Sequence, residues 1–243
     1  MECNYCGGTG LYIKDGLAVR CACIQELDRA RRYRASRLPA KLMRCRFEDF
    51  DLSYYPDSIY LDKSAKSYRD VAKTVLQAAR DFAETCAKSN TDQHQGKGLF
   101  IYGNVGSGKT YLCSSIANYL LEKGKDVLFI VVPDLLDEIR ASYSGETEMS
   151  ESQVLRYAIN APVLILDDLG AHNYTEWAKN KIYSIINNRL NNEMPTIINS
   201  NLNLGQIERY LGERTTSRIV ELCDIYGLFV PKDIRHIKNL ERR

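Results

Sequence analysis

No apolar run in the 243-residue sequence approaches the ~20 residues needed to cross a bilayer, which argues against a membrane-spanning helix. The N-terminus lacks the basic and apolar regions of a secretory signal, so the expected compartment is the cytoplasm. Neither acid nor base dominates: the formal net charge is +2, and overall charge points to no polyanionic partner. Internal repeats and low-complexity segments are also missing, which excludes solenoid architectures and long unstructured arms. The three histidines, His94, His172 and His236, stand without partner patterns and carry no assigned chemistry. Hydrophobic content of 44% and charged content of 26% describe a soluble globular chain. Its length accommodates one large domain, or one ordinary domain with a small appendage.

Cysteine is not scarce. Cys3, Cys6, Cys21 and Cys23 give C-x2-C-x14-C-x-C, and in a reducing compartment a disulfide framework is the wrong default. Two close pairs separated by a loop are how a chain wraps one tetrahedral Zn²⁺. Gly7, Gly8 and Gly10 suit a tight knuckle whose amides turn toward sulfur. About two dozen residues are too few to hold shape without such a cross-link. The alternatives are incidental pairs or a thiol redox site. Cys45, Cys86, Cys113 and Cys223 are scattered, and read as small buried apolar residues.

Chemistry is densest from Leu99 to Thr110. The apolar run Leu99, Phe100, Ile101, Tyr102 predicts a buried strand, and Tyr111 opens a helical pattern. Between them lies G-x-x-x-x-G-K-T: Gly103, Asn104, Val105, Gly106, Ser107, Gly108, Lys109 and Thr110. Strand, glycine loop and helix in that order form a phosphate cradle. The glycines let successive N–H groups point at an anion, and the helix N-terminus adds positive dipole there. Lys109 supplies charge for the β- and γ-phosphates and Thr110 an oxygen for Mg²⁺. The spacing predicts a bound nucleoside triphosphate such as ATP.

A second landmark is Val163-Leu164-Ile165-Leu166-Asp167-Asp168, four apolar residues of a central strand ending in two carboxylates. Ligands of open α/β sheets bind at that end. Asp167 is placed to hold Mg²⁺, and Asp168 to orient the attacking water. The next strand, Pro195 to Ile198, leads into Asn199-Ser200-Asn201, where Asn201 is the candidate to touch the γ-phosphate and Asn199 and Ser200 rank lower. Arg214 and Arg218, four apart, share a helix face; a surface ion-pair face is the bland alternative. Amphipathic helices are expected over Asp62 to Lys88, Asp134 to Tyr143 and Glu176 to Asn191, with a polar insert over Ser144 to Ser152. Arg29, Arg31, Arg32, Arg34, Arg37, Arg44 and Arg46 make residues 24–46 basic, either a face for an acidic partner or nucleic acid, or a solvated linker helix ending near Pro39. The aromatic cluster Phe47, Phe50, Tyr54 and Tyr55 is expected to pack on the next domain.

Leu164 to Gly170 (LILDDLG), Pro195 to Leu202 (PTIINSNL) and Leu211 to Arg218 (LGERTTSR) together resemble the bacterial replicative helicase loaders of the AAA+ class, the DnaC/DnaI family, with the transposition helper IstB a close relative. The resemblance runs from Phe47 to the C-terminus. It implies an α/β fold: a P-loop core with a central parallel sheet flanked by helices, lacking a full helical lid. The implied division is a zinc-binding, partner-binding domain over residues 1–46 and an ATPase domain over 47–243. Implied partners are a DnaB-type hexameric helicase, single-stranded DNA and further copies of the chain, in a bacterial cell or its mobile element. By the same resemblance Asn201 is the sensor residue, Arg218 an arginine finger reaching a neighbouring subunit with Arg214 assisting, and Arg235 the final arginine of the C-terminal motif. Tyr111 joins the nucleotide-contacting set. DNA contacts are expected around Val132 to Tyr143, where only Arg140 is basic. Most AAA+ ATPases have glutamate where Asp168 stands, and the shorter carboxylate implies slow hydrolysis used as an assembly switch. Competing readings are an IstB-like transposition helper, a small-molecule kinase and a non-enzymatic adaptor.

Overall fold

The computed structural model describes residues 3–58, 66–89, 96–144, 150–170 and 174–241. Strands β1 (Leu11–Lys14) and β2 (Leu17–Arg20) form a small antiparallel hairpin. Helix α1 (Ala22–Ala35) follows. The helix stops short of Pro39, at Ser36 and Arg37, the latter with φ +55°. Helix α2 spans Tyr68–Lys88. It starts later than the expected Asp62, because Ser67 and Asp70 close a capping box there, satisfying the first free amides of the helix.

The remainder alternates strand and helix: β3 (Gly98–Tyr102), α3 (Lys109–Glu122), β4 (Val127–Val131), α4 (Val132–Ser144), α5 (Glu151–Asn160), β5 (Val163–Leu169), α6 (Glu176–Asn191), β6 (Thr196–Ser200), α7 (Leu204–Leu211), α8 (Glu213–Leu222), β7 (Cys223–Gly227) and α9 (Ile234–Glu241). The segment around Arg214 thus belongs to two helices, broken at Gly212, whose φ of +85° ends α7. Arg235, of the expected C-terminal motif, lies in the first turn of α9. His94, His172 and most of the polar insert lie outside the described residues.

Strands β4-β5-β6-β3-β7 make one sheet with every pairing parallel. Strand alternation sorts its residues cleanly. Leu99, Ile101, Val127, Phe129, Val163, Ile165 and Ile197 face the core shared with α2 and α3. Phe100, Leu128, Ile130, Leu164, Leu166 and Ile198 face the core shared with α4 to α8. Both faces are covered, as an all-parallel sheet requires, so these strands read as near-continuous apolar runs.

Packing crosses the 46/47 position without interruption. Leu38 and Cys45 are buried, and the Ser36 carbonyl accepts from the Phe129 amide of edge strand β4 at 2.8 Å. Asn118 of α3 donates to the carbonyls of Leu42 and Cys45. Four of the arginines that made this stretch basic are paired with acids of the sheet domain: Arg29 and Arg46 with Glu122, Arg32 with Asp126, and Arg37 with Glu138. That favours the linker reading for those four. Among the described residues no helix is long and apolar enough to cross a membrane.

Candidate functional site

The glycine loop joins the carboxyl end of β3 to α3, and neighbouring segments hold it from both sides. Tyr55, almost wholly buried, donates its hydroxyl to the Ser107 carbonyl at 2.6 Å. A side chain at Gly108, which has φ +93°, would press on that hydroxyl at 2.8 Å. One at Gly103 would collide with the Leu228 carbonyl. Close backbone approach demands glycine at Gly103, and the left-handed conformation beside the Tyr55 and Phe50 side chains favours it at Gly108. The Asn104 side chain pairs with the backbone of Val230, donating at 2.6 Å and accepting at 3.1 Å. The Ile234 amide donates to the Gly106 carbonyl, which docks the start of α9 on the loop and carries Arg235 with it. Val105 at the loop tip is exposed. Tyr111 turns away toward the linker, exchanging hydrogen bonds with the Arg46 backbone beside Phe50.

Lys109 is buried, and its ammonium donates to the carbonyls of Gly103 and Asn104 and to Asn201 Oδ1, each at 2.9 Å. Burial lowers its pKa to about 8, because desolvation disfavours the charged form. Thr110 donates to Asp167 Oδ1 at 3.0 Å. Burial raises the Asp167 pKa, because desolvation disfavours the charged carboxylate. Strand β5 does not stop before the two aspartates. It runs through them to Leu169 and slips register against β6 between Leu166 and Leu169. In that irregularity Asp168 takes φ +61°, a left-handed conformation uncommon outside glycine, and bulges of this kind re-aim side chains at sites. Its carboxylate accepts from Asn201 Nδ2 at 2.9 Å.

Lys109, Thr110, Asp167, Asp168 and Asn201 thus form one connected cluster at the carboxyl ends of β3, β5 and β6. Asn199, ranked below Asn201 from sequence, is also bonded into it: it donates to Asp167 and accepts from the Asp168 amide at 2.9 Å. Strand alternation was the signal for that role, since residues 199 and 201 share one face. Arg214 and Arg218 lie elsewhere. Both reach Tyr183 of α6, with Arg214 at 4.9 Å over its ring, and Arg218 also pairs with Glu221 at 2.8 Å.

At the N-terminus the four sulfurs of Cys3, Cys6, Cys21 and Cys23 lie within 4.8 Å of one another. The pairs Cys3–Cys21 and Cys6–Cys23 are 3.5 and 3.3 Å apart. Ligands ~2.3 Å from one tetrahedral Zn²⁺ sit at comparable separations. The Gly10 amide donates to Cys6 Sγ at 3.2 Å. Backbone amides of Tyr5 and Cys6 lower the Cys3 thiol to about 6, whereas its sulfur neighbours Cys6 and Cys21 raise that of Cys23. Four packed thiols cannot all ionise unaided, and a dication resolves the conflict. The donor set fits zinc.

Sheet order, phosphate loop and strand-end carboxylates define a P-loop α/β core of the AAA+ class. The match to the model for the IstB-like ATP binding proteins covers residues 67–223, and the chain belongs to that family. The replicative helicase loader DnaI of Bacillus subtilis (strain 168) is 31% identical over 124 residues, 51% of this chain and 39% of that protein. The replicative helicase loader DnaC of Buchnera aphidicola subsp. Schizaphis graminum is 29% identical over 165 residues, 66% of this chain and 64% of that protein. The chain thus spans less than two thirds of the length of either curated relative. A crystal structure of DnaI matches with TM-score 0.62 and 26% identity, over 79% of this chain and 95% of that one. AMPPCP-bound DnaA from Aquifex aeolicus shares the fold at TM-score 0.57 and 17% identity, over 80% of this chain and 56% of that one.

Proposed function

We propose that this protein is a slow, ATP-regulated helicase loader that engages a replicative DnaB-type hexameric helicase and single-stranded DNA during initiation of DNA replication in the cytoplasm. The observation that carries the reading is the single cluster of Lys109, Thr110, Asp167, Asp168 and Asn201, on a chain whose relatives are named replicative helicase loaders.

The loop amides from Asn104 to Thr110 bind the phosphates, and Lys109 exchanges loop carbonyls for phosphate oxygens. Thr110 and Asp167, already joined by a hydrogen bond, are the residues that would hold Mg²⁺. A Mg²⁺ held there would supply charge neutralisation to the bound phosphates. Asp168 orients the attacking water, and Asn201, bonded to both Asp168 and Lys109, keeps base and cation in register with the γ-phosphate. A short aspartate in that role keeps turnover slow, so that nucleotide governs assembly. Arg218, assisted by Arg214, completes the site of a neighbouring copy in trans, and Arg235 approaches the phosphates from α9. Cys3, Cys6, Cys21 and Cys23 hold Zn²⁺ and shape the helicase-contacting part. That part ends near Ala35, because Leu38 and Cys45 already belong to the ATPase core.

The test is Arg218→Ala in the full chain. ATP binding should be spared and DNA-stimulated hydrolysis lost; surviving stimulated hydrolysis sinks the trans-finger assignment. A second reading is a transposition helper like IstB, the protein to which the matching family is likened. Affinity purification separates the two: recovery of a replicative helicase supports the loader, and recovery of a transposase supports the helper.

A further inference from the structure

Asn199 sits two residues before the residue expected to sense the γ-phosphate, and it is 2% exposed. Its two amide atoms make opposite bonds. Oδ1 accepts from the backbone N–H of Asp168 at 2.9 Å, and Nδ2 donates to Asp167 Oδ1 and lies 3.5 Å from Cys113 Sγ. Because a backbone N–H can only donate, the first bond fixes which end of the amide faces which aspartate.

Each bond answers a specific need of β5. The ladder to β6 is paired at Leu166 and at Leu169 but slips between them. The Asp168 amide falls inside that slip, where a backbone N–H still needs an acceptor. Asn199 supplies it and holds the left-handed turn at Asp168, a conformation that persists only when its surroundings over-determine it. The other bond meets a buried carboxylate. Asp167 Oδ1 accepts from Asn199 on one side and from Thr110 on the other, which locks the carboxyl group against the hydroxyl that shares its proposed ion.

We propose that Asn199 is a positioning residue for Mg²⁺-dependent nucleotide binding, fixing the Asp167 carboxylate beside Thr110 while it holds the bulge that turns Asp168 toward Asn201. The end of β6 and the residue after it then divide the work between two asparagines. Asn199 serves Asp167 and the backbone of Asp168, and Asn201 serves the Asp168 side chain and Lys109. The inference rests on the nucleotide-binding reading given above.

The experiment compares Asn199→Ala and Asn201→Ala with the wild-type full chain. Binding of a fluorescent ATP analogue is titrated in EDTA and across a Mg²⁺ series, alongside steady-state turnover. In Asn199→Ala the metal-free affinity should stay within about twofold, since the phosphate-cradling loop is untouched. The Mg²⁺ concentration giving half-maximal binding should rise about 10- to 100-fold, the range seen when partners of metal ligands are removed. In Asn201→Ala the Mg²⁺ requirement should hold and kcat should fall. If Asn199→Ala does not fold, Asn199→Ser, which puts a shorter hydroxyl able to donate or accept one hydrogen bond where the carboxamide stood, is read by the same criteria with a smaller shift. An unaltered Mg²⁺ requirement in a folded variant overturns the inference, as does an equal loss of metal-free and metal-bound affinity. A wild type that binds no nucleotide overturns the nucleotide-binding reading instead.

Discussion

The cysteine knuckle and the phosphate-loop site place polar atoms at close range, yet they hold them in different ways. Around the knuckle Tyr5, Leu11, Ile13 and Leu17 are exposed, so the hairpin has no apolar core to fall back on. Four sulfurs crowd together, and a single cation makes that arrangement favourable. At the phosphate loop the supports are already in place on every side: Tyr55 under Ser107, Val230 beside Asn104, α9 against Gly106, and Asn199 between the two aspartates. A site carried by a two-layer core can tolerate a buried Lys109 and a left-handed Asp168. A site with no core depends on its ligand to exist. Under the proposed function, partner recognition and nucleotide chemistry fall to two parts, one gathered around four thiols and one packed on its own apolar core.

The largest expected effect breaks that contrast directly. Chelation of zinc should abolish the ordered structure of residues 3–21 and leave the thermal transition of the sheet domain in place, read by proteolysis and calorimetry. Thiol labelling sharpens the same point. After chelation Cys3, Cys6, Cys21 and Cys23 should react fast. Cys45, Cys86, Cys113 and Cys223 should wait for global unfolding, because burial raises their thiol pKa values, to about 12 for Cys86 and Cys113, and at pH 8 they stay protonated and unreactive. Equal labelling rates would erase the distinction.

Within the sheet domain Lys109→Ala should weaken ATP binding about 100-fold, the worth of a charge-assisted hydrogen bond in a buried site, measured by nucleotide titration. Arg189→Met tests the domain's stability apart from its chemistry. Arg189 is fully buried and donates to four carbonyls, of Ala158, Ile159, Ala161 and Pro195, and to the Thr196 hydroxyl, tying the end of α5 to β6. Unpaired buried acceptors cost ~1–3 kcal/mol each, so urea denaturation should show a loss on the order of 3–5 kcal/mol after partial relaxation. The smallest effect is reserved for Tyr55→Phe, which removes one hydrogen bond to the loop and should cost ~1 kcal/mol. A loss as large as that of Arg189→Met would mean that the loop, too, lacks an independent scaffold.

Much of this is legible residue by residue. The phosphate loop announces itself because its chemistry needs glycine, lysine and threonine at fixed offsets, and the strands announce themselves because a doubly covered sheet needs uninterrupted apolar runs. The start of α6 at Glu176 coincides with the periodic pattern, and Thr175 caps it. The expected helix starts too early, at Asp62, although the apolar recurrence itself begins only at Tyr68, where the capping box of Ser67 and Asp70 starts α2. The arginine-rich stretch after Ile24 is ambiguous in sequence for a different reason. Whether a charge faces a partner or its own fold depends on acids such as Glu122 and Glu138, distant along the chain.

By itself the sequence determined the P-loop class, the strand–loop–helix order around Lys109, the metal-like spacing of the first four cysteines and the identity of the two strand-end aspartates, while the hairpin at Leu11–Arg20 and the edge strand Cys223–Gly227 carry no such signal. Only the tertiary structure decided how those aspartates are held. The register slip in β5, the left-handed turn at Asp168 and the insertion of Asn199 between the two carboxylates all arise from β5 lying beside β6. The pairing of residues more than thirty positions apart is a long-range interaction that local patterning does not encode. The loop could be recognised from a dozen consecutive residues, whereas the geometry that lets it act depends on side chains from four separate elements.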